Sequence, residues 1–252
     1  MSEEPQEERA NDEERGDATP FVLVDRVVDP YLVCFHEPRG FRAEQFRALR
    51  SKLLVMNPER APRSVVITSA IQGEGKSSSA INLALAFAEL EDQRAVLLDF
   101  DFRKPSVETL LGLNQEPGLT ELLMGRLALH QAIRNSGVES FDLIGPGGMP
   151  TNPSELLSSR RIDELIARLK EEYSLIILDT PPAIPLTDAG VLSAKCDGTI
   201  LVVGLERAPR KLSKEARKQL VESGAHLLGS FVVGVRGADP SKDPRYGYSR
   251  GE

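Results

Sequence analysis

The chain has 252 residues, 40% hydrophobic and 27% charged, with a formal net charge of −7. That composition describes a soluble globular protein of one large domain or two small ones, and no run of eighteen apolar residues exists to cross a membrane. Two cysteines, Cys34 and Cys196, and three histidines exclude a disulfide framework and a zinc constellation. The charge is unevenly spread: residues 1–20 hold eight acids and two arginines, leaving 30 acids and 29 bases in the rest. A body so close to neutral does not ask for nucleic acid as a partner.

In chain order, residues 1–20 are acidic and polar, which predicts a disordered tail and excludes a secretory or transit peptide. Phe21–Phe35 is apolar without a clear period and reads as extended structure lying against the domain. Helical spacing begins near Ala43, where Ala43, Phe46, Leu49, Leu53 and Leu54 form one apolar stripe that Pro58 and Pro62 close. Strand-length apolar runs follow at Val65–Ile67, Ala95–Leu98, Phe141–Ile144, Leu175–Leu178, Thr199–Val203 and Leu228–Val235. Amphipathic segments lie between several of them, at Ala80–Leu90, Glu155–Glu172 and Lys211–Ser223. Continuous apolarity predicts strands covered on both faces, and the alternation predicts a three-layer α/β domain with a mostly parallel sheet, spanning 21–237. Residues 238–252, rich in Gly, Pro and Ser, read as a flexible end.

The strongest local signal is Ala70-Ile71-Gln72-Gly73-Glu74-Gly75-Lys76-Ser77-Ser78, set between the first strand and a helix. It matches the end of the phosphate-binding loop, GxGK[ST], with Ala70 in place of the first glycine. Gly73 and Gly75 let backbone N–H groups turn inward at a polyphosphate, and the helix N-terminus adds free donors. Lys76 brings a charge to the β- and γ-phosphates, and Ser77 a hydroxyl to Mg²⁺. Residues 72–78 are thus the expected nucleotide-binding set.

Two further runs end in acids. Leu175–Leu178 leads into Asp179-Thr180-Pro181-Pro182, and Val96–Leu98 leads into Asp99-Phe100-Asp101-Phe102-Arg103. Asp99 and Asp101 are two apart, so extended backbone would project them the same way. A carboxylate at the end of a buried strand needs something to offset it, and a metal beside the phosphate loop does so. Together these acids predict a Mg-nucleotide site.

The combination resembles the bacterial tyrosine autokinases that control capsular and exopolysaccharide synthesis, in the form where the kinase is a separate cytosolic chain. The likeness runs from about Glu44 to Gly237. It rests on the phosphate loop, on Asp99–Pro105, on Asp179–Pro182, on Asn152-Pro153-Ser154-Glu155-Leu156-Leu157 and on Glu44-Gln45-Phe46-Arg47-Ala48-Leu49-Arg50. The resemblance implies a P-loop NTPase fold, with ATP and Mg²⁺ as cofactors. Lys76 and Ser77 would bind phosphates and Mg²⁺, Asp101 and Asp179 would complete the metal site, and Asp99 would accept the proton of an incoming tyrosine. It further implies C-terminal phosphoacceptors, here Tyr246 and Tyr248, and a ring-shaped homo-oligomer in which Glu44, Arg47 and Arg50 make subunit contacts. The implied activator is the cytosolic segment of a membrane polysaccharide co-polymerase. That partner would place the chain at the inner face of the plasma membrane without direct insertion.

The chain departs from that pattern at two strand ends: Val233 stands where an asparagine usually meets adenine, and Gly204 where an arginine is common. A positioning or partition ATPase of the same fold is the nearest rival. Many of those carry lysine at the second loop position, which is Ile71 here. A non-catalytic nucleotide-binding scaffold is the rival from a different class.

Overall fold

The computed structural model describes residues 26–56 and 63–234. The expectations for the two tails, including Tyr246 and Tyr248, lie outside those residues. In chain order the elements are α1 (Val33–His36), α2 (Phe41–Val55), β1 (Ser64–Ser69), α3 (Lys76–Ala88), β2 (Ala95–Asp99), α4 (Val107–Leu110), α5 (Leu119–Leu123) and α6 (Leu129–Ala132). They continue with β3 (Arg134–Val138), β4 (Phe141–Ile144), α7 (Pro153–Ser158), α8 (Arg160–Glu172), β5 (Leu175–Asp179), α9 (Asp188–Ser193), β6 (Gly198–Gly204), α10 (Arg210–Glu222) and β7 (Leu227–Val233).

The strands form one sheet in the order β3-β4-β2-β5-β1-β6-β7. Every pairing is parallel except β3 with β4, which is antiparallel. β1, β2 and β5 are buried along their whole length. Their apolar side chains divide between two cores, one on each face. Val65, Ile67, Leu97 and Ile177 pack with α1, α2, α3 and α4, while Val66, Leu98, Ile176 and Leu178 pack with α5 and α8. This is the expected three-layer P-loop NTPase architecture.

Four local expectations need correction. The end of the supposed extended segment, from Val33, is instead the helical turn Val33–His36. Its Cys34 N–H donates to the buried Asn82 Oδ1 of α3, so tertiary contact overrides strand propensity. Leu54 lies off the apolar stripe and is exposed, whereas Ala43, Phe46 and Leu53 are buried. The Glu155–Glu172 helix is broken at Ser159, whose extended backbone ends α7 and caps α8. Finally, β7 is an edge strand with exposed residues rather than one covered on both faces.

Candidate active site

Strand order sets the site. β5 lies between β2 and β1, so the carboxyl ends of all three strands are neighbours, and in the β2–β5 register Asp99 is paired with Asp179. Paired residues on adjacent parallel strands share a face at about 5 Å. Two carboxyls are therefore placed side by side by backbone hydrogen bonding alone, next to the loop that leaves β1.

That loop turns through Gly73 at φ 84° and Gly75 at φ 87°, the left-handed region that a side chain resists. Gly75 is also the N-cap of α3 and carries no capping side chain, which leaves the first N–H groups of the helix for an anion. Lys76 and Ser77 follow as the first helical residues, both buried. The Lys76 Nζ lies 3.0 Å from Asp101 Oδ2 and 3.4 Å from Asp179 Oδ2. Ser77 Oγ donates to Asp179 Oδ2 at 2.5 Å. Burial works against the Lys76 ammonium, but Asp179 and Asp101 outweigh it and the pKa is raised.

The acids are not equivalent. Asp99 has no solvent exposure. Its Oδ1 accepts from the Asp101 N–H at 3.0 Å, and its Oδ2 accepts from the Ser106 and Val107 N–H groups at 3.1 Å each. Burial, reinforced by Asp179, pushes its pKa up to about 8. Burial also raises Asp179, against the pull of Lys76 and Ser77. Three amides thus tie Asp99 down, and one acceptor position on Oδ1 remains. The strand ends at Asp99, yet Phe100 and Phe102 pack in the same core as Val96 and Leu98, so Asp101 falls on the side of Asp99 as the alternation predicts. It sits in a turn where its Oδ1 accepts the Lys104 N–H at 3.1 Å.

Glu74 does not face the phosphate position through its side chain, which is buried beneath the loop. Gln72 Oε1 accepts from Lys104 Nζ at 3.0 Å, so the second acidic segment reaches over the loop. Sequence reasoning missed that lysine because only the fold brings residues 72 and 104 together. It also missed Asp188, which is buried, accepts from Ser154 Oγ at 3.4 Å and pairs with Arg103 at 3.8 Å. Through it the Asn152–Leu157 motif is joined to the acidic segment. Val233 Cγ2 would touch a Cβ built on Gly75 at 3.4 Å, so this side chain walls the loop rather than offering a polar group to a base.

Glu44, Arg47 and Arg50 share one side of α2. Arg47 Nη2 pairs with Glu89 at 2.6 Å and the same guanidinium reaches Glu44; Arg50 bonds the Ala86 carbonyl and Glu89. Both arginines thus fasten α2 to the end of α3, and the Glu44 side chain remains about half exposed.

Among the described residues no three His, Cys, Asp or Glu side chains gather into a metal cage, and no helix is long and apolar enough to cross a membrane. Two buried carboxyls, Asp101 and Asp179, facing one ammonium nevertheless suit a divalent ion of the Mg²⁺ type, which needs only one or two carboxylates besides phosphate and water.

Residues 63–215 match the family model described as an AAA domain. The chain is 35% identical to tyrosine-protein kinase YwqD of Bacillus subtilis over 86% of its own length and 90% of that protein. It is 31% identical to tyrosine-protein kinase Etk of Escherichia coli over 86% of its length, although this covers only 28% of Etk. Among solved structures, the kinase domain of Escherichia coli tyrosine kinase ETK superposes with a TM-score of 0.77 at 30% identity, covering 83% of this chain and 82% of that one. The chimerical protein CapA2B2 gives 0.76 at 32%, covering 82% and 92%. The Pyrococcus horikoshii septum site-determining protein MinD, 23% identical with a TM-score of 0.57 and coverage of 68% and 69%, shares the P-loop nucleotide-binding fold. With its strand-end acids gathered on a phosphate-loop lysine, and with these relatives across most of its length, the chain belongs to the bacterial tyrosine-protein kinase family.

Proposed function

We propose that the chain is an ATP- and Mg²⁺-dependent autokinase that transfers the γ-phosphoryl group to Tyr246 and Tyr248 of another copy in a ring. The observation that carries the reading is the convergence of Asp101, Asp179 and Ser77 on Lys76, directly behind the phosphate loop. Lys76 would neutralise charge on the β- and γ-phosphates, and residues 72–78 would line them with amides. Ser77, Asp101 and Asp179 would hold Mg²⁺, which supplies charge neutralisation on the phosphate oxygens. With its ionised form favoured by bound Mg²⁺, Asp99 would take the phenol proton on the remaining acceptor position of Oδ1 as the phosphorus–oxygen bond forms and ADP leaves.

Capsular or exopolysaccharide synthesis is the process this kinase would regulate. A cytosolic segment of a membrane co-polymerase would be its activator and would hold it at the membrane. Of the three motif residues, Glu44 would be the one left for a subunit contact, since Arg47 and Arg50 are engaged within the chain. One observation favours a second reading, nucleotide hydrolysis without transfer to tyrosine: the three amides on Asp99 restrict its use as a base.

The test is incubation with labelled ATP and Mg²⁺, with and without the activating segment, followed by mass spectrometry. Phosphotyrosine at Tyr246 or Tyr248 that disappears in Lys76→Met supports the kinase. Phosphate release without protein label supports the second reading.

A further inference from the structure

Glu74 is an acid inside a loop whose task is to hold an anion, and it is almost fully buried at 1% exposure. Both of its oxygens are used by backbone. Oε2 accepts the Ile71 N–H at 2.8 Å, within the same loop, and Oε1 accepts the Gly204 N–H at 3.2 Å, at the end of β6. Among the described residues Glu74 makes no ion pair, and a buried carboxylate without one is stable only if such amides satisfy it. The contact to β6 is close: a Cβ built on Gly204 would lie 3.1 Å from the Glu74 Cα and 3.1 Å from Arg207 Cγ. From there the Leu205 N–H donates to the Val233 carbonyl at 2.9 Å, and Val233 packs against Gly75. The loop is thus laced from beneath to the ends of β6 and β7.

We propose that Glu74 is a positioning residue that fixes the curvature of the phosphate loop before nucleotide arrives, acting through the Ile71 and Gly204 amides and not by touching the ligand. The proposal rests on the nucleotide-binding reading of the loop. With its oxygens turned under the loop, the carboxylate orients the remaining amides outward toward the phosphates. It also explains Gly204: a side chain there would press on the Glu74 backbone.

The experiment measures Mg-ATP binding by titration, and amide exchange by NMR, in the wild-type chain, Glu74→Gln and Gly204→Ala. Glutamine has one acceptor oxygen and an NH₂ group that meets an N–H donor, so one of the two links is lost. The expected result is an affinity for Mg-ATP about tenfold or more weaker in Glu74→Gln, the scale of a lost charge-assisted hydrogen bond. Gly204→Ala weakens binding in the same direction. In the unliganded wild-type chain the Ile71 and Gly204 amides exchange slowly. In Glu74→Gln they exchange faster while Leu97 in β2 does not change, a local signature that general destabilisation would not give. The proposal is overturned if Glu74→Gln binds Mg-ATP like the wild type. It is also overturned if the Ile71 amide of the unliganded wild type is unprotected, a measurement that needs no variant to fold. Because binding is measured, a chain that binds Mg-ATP but makes no phosphotyrosine fails the kinase reading alone.

Discussion

At the carboxyl ends of β2 and β5, Asp99 and Asp179 are buried side by side, and burial raises both pKa values. At the opposite, amino end of the strands, just before β6, Asp197 accepts the Arg63 and Ser64 N–H groups and the Ser64 hydroxyl and pairs with Lys170 at 2.7 Å. Burial pushes Asp197 upward too, but Lys170 and Ser64 outweigh it and hold its pKa below the usual carboxylate range. The amino end closes its charges locally and ties strands together. The other keeps charges in surplus, which in a folded protein marks a place prepared for a ligand.

The largest effect that sharpens this contrast is expected from Lys76→Met, which removes the cation shared by Asp101 and Asp179. Phosphotyrosine formation should fall by at least about 10²–10³-fold, read as initial rates by mass spectrometry. Next is the pH dependence of the unliganded chain. Asp99 has a folded pKa of about 8 against an ordinary value of 3.8, so the folded state binds the extra proton between those values. Its contribution to stability is present below the unfolded pKa and is lost as pH rises toward 8, so the melting temperature should fall from pH 5 to pH 8. Asp99→Asn should flatten that slope; an unchanged slope breaks the contrast.

Asp197 works with the opposite sign. Its folded pKa is depressed, so its contribution is present above the unfolded value and is lost as pH falls through the folded one, at the acid end of the range. Asp197→Ala should destabilise the chain by about 1 kcal/mol at neutral pH, a modest figure because the side chain is over a third exposed to solvent. Urea unfolding measures it, and activity per folded molecule should not change. The smallest effect is expected from Glu44→Ala. Its pair with Arg47 is a surface i,i+3 contact worth about 0.2–0.5 kcal/mol to the single chain, and any larger change would be in assembly size by light scattering.

The acid-rich end was readable from sequence because its parts are local: a glycine-bent loop and two buried runs, each ending in aspartate. The surroundings were less so. β3, with the polar sequence Arg-Asn-Ser-Gly-Val, has no apolar pattern because it is an edge strand paired on one side only. The break at Ser159 was hidden because no glycine or proline marks it, and only the step of five from Leu157 to Ile162 departs from helical spacing. The direction of Glu74 and the enclosure of Asp99 depend on partners at Gly204 and at Ser106 and Val107. Spacing within a motif says nothing about which backbone amides will fold over it.

The pairing of Asp99 with Asp179 is set by the ladder between β2 and β5. Side chains alternate faces along a strand, so one residue inserted into Leu175–Asp179 would turn the terminal carboxyl to the other side of the sheet, away from Lys76. Surface loops away from the phosphate loop can lengthen or shorten without that penalty. The number of residues in β5 is thus as firm a requirement for this chemistry as the identity of the acid that ends it.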